Sequence, residues 1–259
     1  MTIRPAAVAG MFYPGTRQSL QASIHAMLQA VPDYQGPTPK VLVVPHAGYQ
    51  YSGIVAAEAY KQLAGSHYRR VVLLGPAHRV PVHGMALPEA EAFQTPLGTI
   101  PLDTDTIRQL AAQHPAARYM DVAHELEHSL EVQLPFIQTL LPDAKLVPVV
   151  VGETHPEQVQ ALLESVWDDD TLIIISTDLS HFHPYAEARA LDLDTLQRIL
   201  SFSTHLHGEQ ACGCRPLNGL LLAAQQRQLQ IELIDYKNSG DTAGSRESVV
   251  GYAALSLFE

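Results

Sequence analysis

Three features that would point to particular classes of protein are scarce or missing in this sequence. Its 259 residues contain only two cysteines, Cys212 and Cys214, which are too few and too close together for a disulfide framework. Lysine and arginine form no run and the formal net charge is −11, so we expect no nucleic-acid partner and no binding to a membrane surface. No apolar stretch is long enough to span a bilayer or to act as a secretory signal. We therefore expect a cytoplasmic protein with reduced cysteines.

Apolar periodicity predicts an α/β fold. The composition, 46% hydrophobic and 17% charged, is that of an ordinary globular protein. Continuous apolar runs predict strands that are covered on both faces, at 40–44, 69–74, 145–151 and 171–176. A short hairpin and two closing strands are predicted at 95–102, 230–236 and 248–258. Helical patterns occupy 17–30, where Thr16 is the expected N-cap, and also 54–64, 105–113, 157–167, 186–200 and 216–229. No repeat or linker interrupts the chain, so we predict one domain over 1–259 with a central mixed sheet flanked by helices.

Polar side chains follow three of the predicted strands at the point where each strand ends. His46 follows the first strand by one proline, His78 follows the second by three residues, and Asp178 and His181 follow 171–176. Open α/β sheets place ligand crevices outside the carboxyl ends of their strands. A single histidine is more often a satisfied loop or core residue than a ligand. The repeated placement nevertheless favours a metal site, in which Asp178 binds the metal or orients a ligand.

Residues 124–128, HELEH, match the H-E-x-x-H pattern of zinc proteases. The extension that supplies the third ligand in one group of these enzymes is missing, and Pro135 limits a helix to about two turns beyond His128. The same segment also reads as one helix that carries His128 and Glu131 on one face, close to the site. A solvated helix face explains these two residues nearly as well.

Several motifs, in this order and spacing, carry a resemblance that spans almost the whole chain: RPAAVAGMFYP, VPHAGYQYSG, LLGPAH, ELEHSLEVQLPF, ISTDLSHF, ACG, and YKNSGD followed by SVVGYAAL. They resemble the Memo family, also called protein B of the AmmeMemoRadiSam system. The shared pattern around residue 128 begins at Glu127 and leaves out His124 and Glu125. The resemblance therefore argues against a protease.

The resemblance implies a fold similar to class III extradiol dioxygenases, which are non-haem iron enzymes. His46 and His78 match two metal-binding histidines of those enzymes, and His181 matches their acid/base histidine. Cys212 matches the position where Memo proteins offer a thiol and the dioxygenases a carboxylate. Iron(II) is the expected metal, but a thiolate is softer than a carboxylate, so copper or zinc is also compatible. Cys214 is open to three interpretations, a second ligand, a redox partner or a small buried residue, and the last is favoured.

Two further residues have alternative interpretations. Tyr49 is expected either to line a pocket or to pack, and Asp241 to be either a turn residue or a hydrogen-bond acceptor for a ligand histidine.

Two classes of function stay open. The first is a dioxygenase-like, metal-dependent oxidoreductase with His181 and Asp178 as catalytic residues, which in prokaryotes is implied to work beside an AMMECR-type protein and a radical-SAM enzyme. The second is a non-catalytic module that binds a peptide or protein in the same crevice. A zinc-dependent hydrolase is a third alternative, and the substrate is unknown in each case.

Overall fold

A computed structural model describes residues 2–259 of the chain. Within this range the strands are β1 (Ile3–Arg4), β2 (Val41–Val44), β3 (Arg70–Pro76), β4 (Met85–Leu87), β5 (Ala92–Thr95), β6 (Gly98–Pro101), β7 (Ala117–Tyr119), β8 (Lys145–Val151), β9 (Thr171–Ser176), β10 (His181–His183), β11 (Gln230–Asn238) and β12 (Val249–Phe258). The predicted strands and hairpin are all present. The short strands β1, β4, β7 and β10 were not predicted, because segments of two or three residues carry no readable alternation.

The helices of the same range are α1 (Arg17–Ala30), α2 (Tyr49–Tyr60), α3 (Thr104–Gln113), α4 (Val122–Glu125), α5 (His128–Glu131), α6 (Leu134–Leu140), α7 (Pro156–Val166), α8 (Tyr185–Leu200) and α9 (Cys214–Gln226). Two single turns of 3₁₀ helix cover Lys61–Leu63 and Ser239–Asp241. The predicted cap of α1 is confirmed, since the backbone N–H of Ser19 donates to the Thr16 hydroxyl at 3.3 Å. None of the helices in residues 2–259 has the length and apolar character that crossing a membrane requires.

The large sheet is mixed, as predicted. Its strand order is β10-β12-β2-β9-β3-β8-β4-β7, with β11 paired to β12, and β1, β5 and β6 form a separate small sheet. The neighbours β2, β9, β3 and β8 are parallel to one another, whereas β12 and β4 flank them antiparallel. All residues of β2, β3 and β9 are buried, which confirms the prediction of strands covered on both faces. The carboxyl ends of three adjacent parallel strands therefore meet at one edge of a single domain.

The single helix predicted across the H-E-x-x-H segment is wrong. The segment forms three short helices, α4, α5 and α6, and the first break falls at Glu127, whose backbone is extended at φ −76° and ψ 126°. The Glu127 side chain accepts the N–H of Ser129 at 2.9 Å and so caps the start of α5. Because of this break, His124 and His128 do not share a helix face.

Arg4 stabilises the break from a distant part of the sequence. Its buried guanidinium donates to the carbonyl oxygens of His124 and Glu127 at 2.9 and 3.0 Å and forms an ion pair with Glu131. These carbonyls lie where α4 ends and α5 begins, so one guanidinium joins the end of the first helix to the start of the second. A side chain 120 residues earlier in the chain therefore fixes the local structure.

The carboxylate of Glu131 holds the N-terminal segment and does not reach the histidine cluster. It accepts the N–H groups of Ala7 and Val8 at 2.8 and 3.0 Å and the hydroxyl of Tyr13 at 2.6 Å, besides pairing with Arg4. The expected place for Glu131 near the site is therefore corrected. Its contacts indicate a structural role.

We predict that Glu131→Ala lowers the free energy of unfolding by about 3–5 kcal/mol, because it leaves the buried Arg4 guanidinium without its counter-ion. The change is measured as the shift in the midpoint of unfolding by guanidinium chloride. The dependence of the free energy of unfolding on denaturant concentration should stay unchanged. Glu125→Ala is the matched control, since Glu125 is exposed in the same segment and should change stability by less than about 0.5 kcal/mol. Equal effects of the two substitutions would contradict this account.

Candidate metal centre

Three polar side chains follow adjacent parallel strands. His46, His78 and Asp178 each lie two residues beyond the last residue of β2, β3 and β9 respectively. Asp178 joins two of the strand ends, because one of its carboxylate oxygens accepts the backbone N–H of His46 at 2.7 Å. The convergence predicted from the strand ends is therefore observed for these residues.

Cys212 reaches the same edge from the loop before α9. Its backbone N–H donates to the carbonyl of Asp178 at 3.3 Å, and its sulfur accepts the N–H of Asp178, also at 3.3 Å. The next residue, Gly213, donates to the Thr177 hydroxyl at 2.8 Å. A Cβ at position 213 would lie 2.6 Å from the Thr177 Cβ, so only glycine permits this close approach.

The ligand atoms of His46, His78 and Cys212 all lie within 4.8 Å of one another. The Cys212 sulfur is 3.4 Å from Nε2 of His46, and the centroids of the two imidazole rings are 5.2 Å apart. A nitrogen and a sulfur at that separation subtend roughly 100° at a metal bound at ~2.05 and ~2.3 Å, close to a tetrahedral angle. The spacing therefore fits a bound metal ion.

The hydrogen bonds of Ser176 fix the tautomer of His46. The Ser176 hydroxyl donates to the carbonyl of Ser129 at 2.6 Å and accepts the side-chain N–H of Gln133 at 2.9 Å. Its one proton is used, so Nδ1 of His46, at 2.9 Å, must be the donor in their contact. Nε2 of His46 is then left with a free lone pair on the side of Cys212. Burial, together with neighbouring His78, lowers the pKa of His46 to about 3, so this imidazole is neutral.

Glu127 fixes His78 in the same way. Its carboxylate accepts the backbone N–H of His78 at 2.6 Å and contacts Nδ1 of the same residue at 2.9 Å. Burial alone would raise the pKa of Glu127, but the hydrogen bonds from His78 and Ser129 and the electrostatic interaction with His78 outweigh it and lower that pKa to about 2. An ionised carboxylate only accepts, so Nδ1 carries a proton, and Nε2 is the nitrogen of His78 that can bind a metal. This role of Glu127 was not predicted from the sequence, although its place directly before His128 in the shared motif was a signal.

His128 is a third imidazole at the same edge. Its ring stacks on that of His78 with centroids 4.6 Å apart and lies edge-on to His46 at 5.5 Å. Burial and the two neighbouring histidines lower its pKa to about 3. His78, Glu127 and His128 also form a group whose ligand atoms lie within 4.8 Å, but Glu127 already accepts three hydrogen bonds there. The group with Cys212 is favoured, because Nδ1, and not Nε2, of its two histidines is hydrogen-bonded to Ser176 and Glu127, and Cys212 adds a sulfur in place of that carboxylate.

The chemistry of this donor set suits a metal ion. Burial and the nearby Asp178 raise the pKa of Cys212 to about 12, so its sulfur carries a proton when no positive charge is present. A bound metal ion stabilises the thiolate form directly. Two neutral imidazoles and one thiolate are compatible with iron(II), zinc and copper. Cys214, by contrast, is buried at the start of α9 and is absent from both groups of ligand atoms.

A cleft of about 580 Å³ opens beside this cluster. His128, Asp178, His181 and Tyr51 line it. Tyr49, which was expected either to line a pocket or to pack, is not among the lining residues of the described part of the chain. Burial raises the pKa of Asp178 to about 6 in spite of the hydrogen bond from His46, so its carboxyl holds a proton in mildly acidic solution. The two predicted catalytic residues therefore lie in one cleft.

Two residues with open interpretations make other contacts. The hydroxyl of Tyr49 donates to the carbonyl of Val132 at 2.8 Å, and its ring is buried, which corresponds to the packing alternative. Asp241 accepts the hydroxyl of Tyr185 at 2.6 Å and the backbone N–H of Asn238 at 3.1 Å. These contacts correspond to the turn alternative for Asp241, and no hydrogen bond within residues 2–259 joins it to a histidine ring.

His124 lies apart from the cluster. Its Nε2 donates to the carbonyl of Ala86 at 3.0 Å, and its ring packs edge-on against Phe93. It belongs to neither group of potential ligands found in residues 2–259. The protease interpretation of the H-E-x-x-H match therefore has no support from the geometry.

Fold and cluster together define a class: mixed α/β proteins with potential metal ligands at the carboxyl edge of parallel strands. The family model described as Memo-like protein matches residues 4–256, and the chain belongs to this Memo family. It is 35% identical to a MEMO1 family protein of Aquifex aeolicus over 98% of this chain and 99% of that relative. A MEMO1 family protein of Sulfurisphaera tokodaii is 32% identical, with 98% of each chain covered. The resemblance drawn from the motifs is therefore confirmed.

The fold also resembles that of a solved structure. The crystal structure of the uncharacterized protein JW3007 from Escherichia coli K12 matches with a TM-score of 0.50 at 13% sequence identity. The match covers 83% of this chain and 99% of that one. At this identity the likeness supports the mixed α/β fold and carries nothing about activity.

We predict that His46→Ala loses stoichiometric metal binding whereas His128→Ala keeps it. The reason is that His46 belongs only to the group with Cys212, while His128 belongs only to the group with Glu127. Metal per chain is measured by mass spectrometry after loading with zinc and desalting, and should fall from about one to below about 0.1 in His46→Ala. The opposite pattern would move the metal to His78, Glu127 and His128.

A second prediction concerns the sulfur ligand. Cobalt(II)-loaded protein should show a thiolate-to-metal absorption band in the near ultraviolet, and Cys212→Ser should remove it. Cys214→Ser is the matched control and should leave the band in place, because Cys214 is buried outside the group of ligand atoms. If the band survives in Cys212→Ser and disappears in Cys214→Ser, the assignment passes to Cys214.

Proposed function

We propose that this protein is a metal-dependent oxidoreductase that binds iron(II) through Nε2 of His46, Nε2 of His78 and the sulfur of Cys212. The supporting observation is that these donors converge while both Nδ1 atoms are hydrogen-bonded to the surrounding scaffold. The substrate stays open. An AMMECR-type protein and a radical-SAM enzyme stay the proposed partners.

Iron(II) with three protein ligands supplies open coordination positions and redox chemistry when it is bound. The residues around it hold their positions through the scaffold, since Ser176 orients His46 and Glu127 orients His78. This prior ordering reduces the entropy that binding and reaction would otherwise cost.

Asp178 and His181 are the proposed proton carriers. One oxygen of Asp178 accepts the His46 backbone N–H, and the other, Oδ2, lies 4.0 Å from Nε2 of His46. His181 lines the same cleft from β10, so its imidazole can exchange protons with a bound molecule.

Two other functions use the same residues. A cleft of about 580 Å³ is within the usual size range of ligand pockets, which is also compatible with a non-catalytic module that binds a peptide or protein in the same cleft. A thiolate among the ligands is also common at zinc, and this supports a zinc-dependent hydrolase as a third possibility. Metal content and open coordination separate the three functions.

The test is metal analysis of protein purified without oxygen, with His46→Ala prepared in parallel. We expect near-stoichiometric iron in the wild type and its loss in the variant. Nitric oxide, which binds at open positions of iron(II), should then give a paramagnetic resonance signal in the wild type alone.

Each contrary result selects another function. Stoichiometric zinc without iron would replace the oxidoreductase by a hydrolase. Protein that takes up no iron, zinc or copper(I), even when loaded without oxygen, would make the cleft a binding surface. Iron retained in His46→Ala would contradict the proposed ligand set.

A further inference from the structure

The two most exposed large apolar side chains of residues 2–259 lie at the same cleft. Phe182 and Met11 have exposed fractions of 75% and 72%, and both line the cleft that contains Asp178 and His181. They come from distant parts of the sequence, Phe182 from β10 and Met11 from the turn before α1. Exposed apolar side chains are ordinary when scattered, but two that share a concave site indicate contact with a ligand.

Phe182 also adopts an unfavourable backbone conformation. Its φ is 64°, in the left-handed region, where a bulky residue is rarely found. The pairing of β10 with β12 shifts register between His181 and His183, so Phe182 lies in an irregularity of the strand. Since its ring is largely exposed, packing does not offset this conformation. Local strain of this kind is typical of residues that contact a ligand.

The residues that line the cleft range from buried titratable groups to exposed apolar ones. Asp178 is buried and His128 and His181 are half-buried, so they mark the inner end, whereas Met11 and Phe182 are exposed and mark the rim. Ser239, Ser245 and Ser248 contribute hydroxyls to the lining. None of the lining residues described is lysine or arginine. The rim would therefore attract apolar groups and offers no cation to pair with a phosphate or carboxylate.

We propose that Phe182 and Met11 form an apolar rim that binds the uncharged, apolar body of a substrate whose polar end binds the metal. Phe182 and Met11 then determine specificity, and the substrate class is an amphipathic small molecule. The inference rests on the proposed metal-dependent function for the position of the polar end. The contact between rim and apolar body does not depend on it.

A pair of metal chelators tests the rim. Acetohydroxamate carries only a methyl group, whereas octanohydroxamate carries a long alkyl chain on the same chelating end. Cobalt(II)-loaded wild type should bind octanohydroxamate at least about tenfold more tightly, because burying a few methylenes provides this factor. Phe182→Asn and Met11→Ser should each reduce the preference to less than about threefold and leave acetohydroxamate binding unchanged. Leu193→Asn, an exposed leucine of α8, is the control and should keep the full preference.

Stability measurements separate a ligand-binding role from a structural one. Asparagine tolerates the left-handed region better than phenylalanine does, so Phe182→Asn should unfold at the same or a higher denaturant concentration than the wild type. If Phe182 had a structural role, Phe182→Asn would instead unfold at a lower denaturant concentration than the wild type. A clear fall in the midpoint, or an unchanged chelator preference in both rim variants, would overturn the proposal.

A neutral apolar dye distinguishes failure of the rim from failure of the metal site. N-phenyl-1-naphthylamine should bind metal-free wild type and His46→Ala with increased fluorescence, and bind weakly to Phe182→Asn and Met11→Ser. If neither hydroxamate binds the cobalt-loaded protein while the dye still distinguishes the rim variants, the metal function fails and the rim stands. If the dye binds all four proteins equally, the rim proposal is wrong.

Discussion

The carboxylate of Glu127 is the contact on which the rest of the site depends. It accepts two hydrogen bonds from His78 and one from Ser129, and its extended backbone separates α4 from α5. A buried carboxylate without such donors would tend to become neutral, but these donors keep its pKa near 2, so it stays a charged acceptor at neutral pH. The ionised carboxylate of Glu127 therefore keeps the proton of His78 on Nδ1 and fixes the start of α5. Through α5 it also fixes the position of His128.

A neutral group does the corresponding work for His46. The Ser176 hydroxyl donates to the carbonyl of Ser129 and accepts a hydrogen bond from the side-chain N–H of Gln133. The side-chain oxygen of Gln133 accepts the hydroxyl of Tyr60 at 3.0 Å. Tyr60 is fully buried and stacks on Phe136 at 4.7 Å. The orientation of His46 therefore depends on packing in the core, and a core substitution far from the cleft can disturb the donor atoms.

Local structure can be predicted from the sequence where the apolar pattern reflects burial. Prediction fails where a residue distant in the sequence determines the local structure. Long apolar runs identify the central strands, and because these strands are parallel, the histidines after them meet at one edge. The segment from 122 to 134 has leucines at helical spacing, but Arg4 binds its carbonyls and Glu127 caps a new helix, so the helix breaks. Spacing also cannot show that the Glu131 side chain turns toward the N-terminal segment. Both failures come from tertiary hydrogen bonds, which no local pattern encodes.

The cluster is polar in its donors but mostly uncharged, and this balance favours a cation. The pKa values of His46 and His128 lie near 3 and that of Cys212 near 12, so all three are neutral at pH 7. Glu127 remains ionised beside them, and Asp178, with a pKa near 6, is mostly ionised as well. A positive ion therefore meets lone pairs and negative charge at this edge of the sheet, and the burial of His46, Glu127 and Asp178 strengthens the attraction. A substrate whose polar end binds the metal and whose apolar body contacts Phe182 and Met11 uses both parts of the cleft. An amphipathic molecule therefore suits the whole cleft better than a wholly polar or a wholly apolar one.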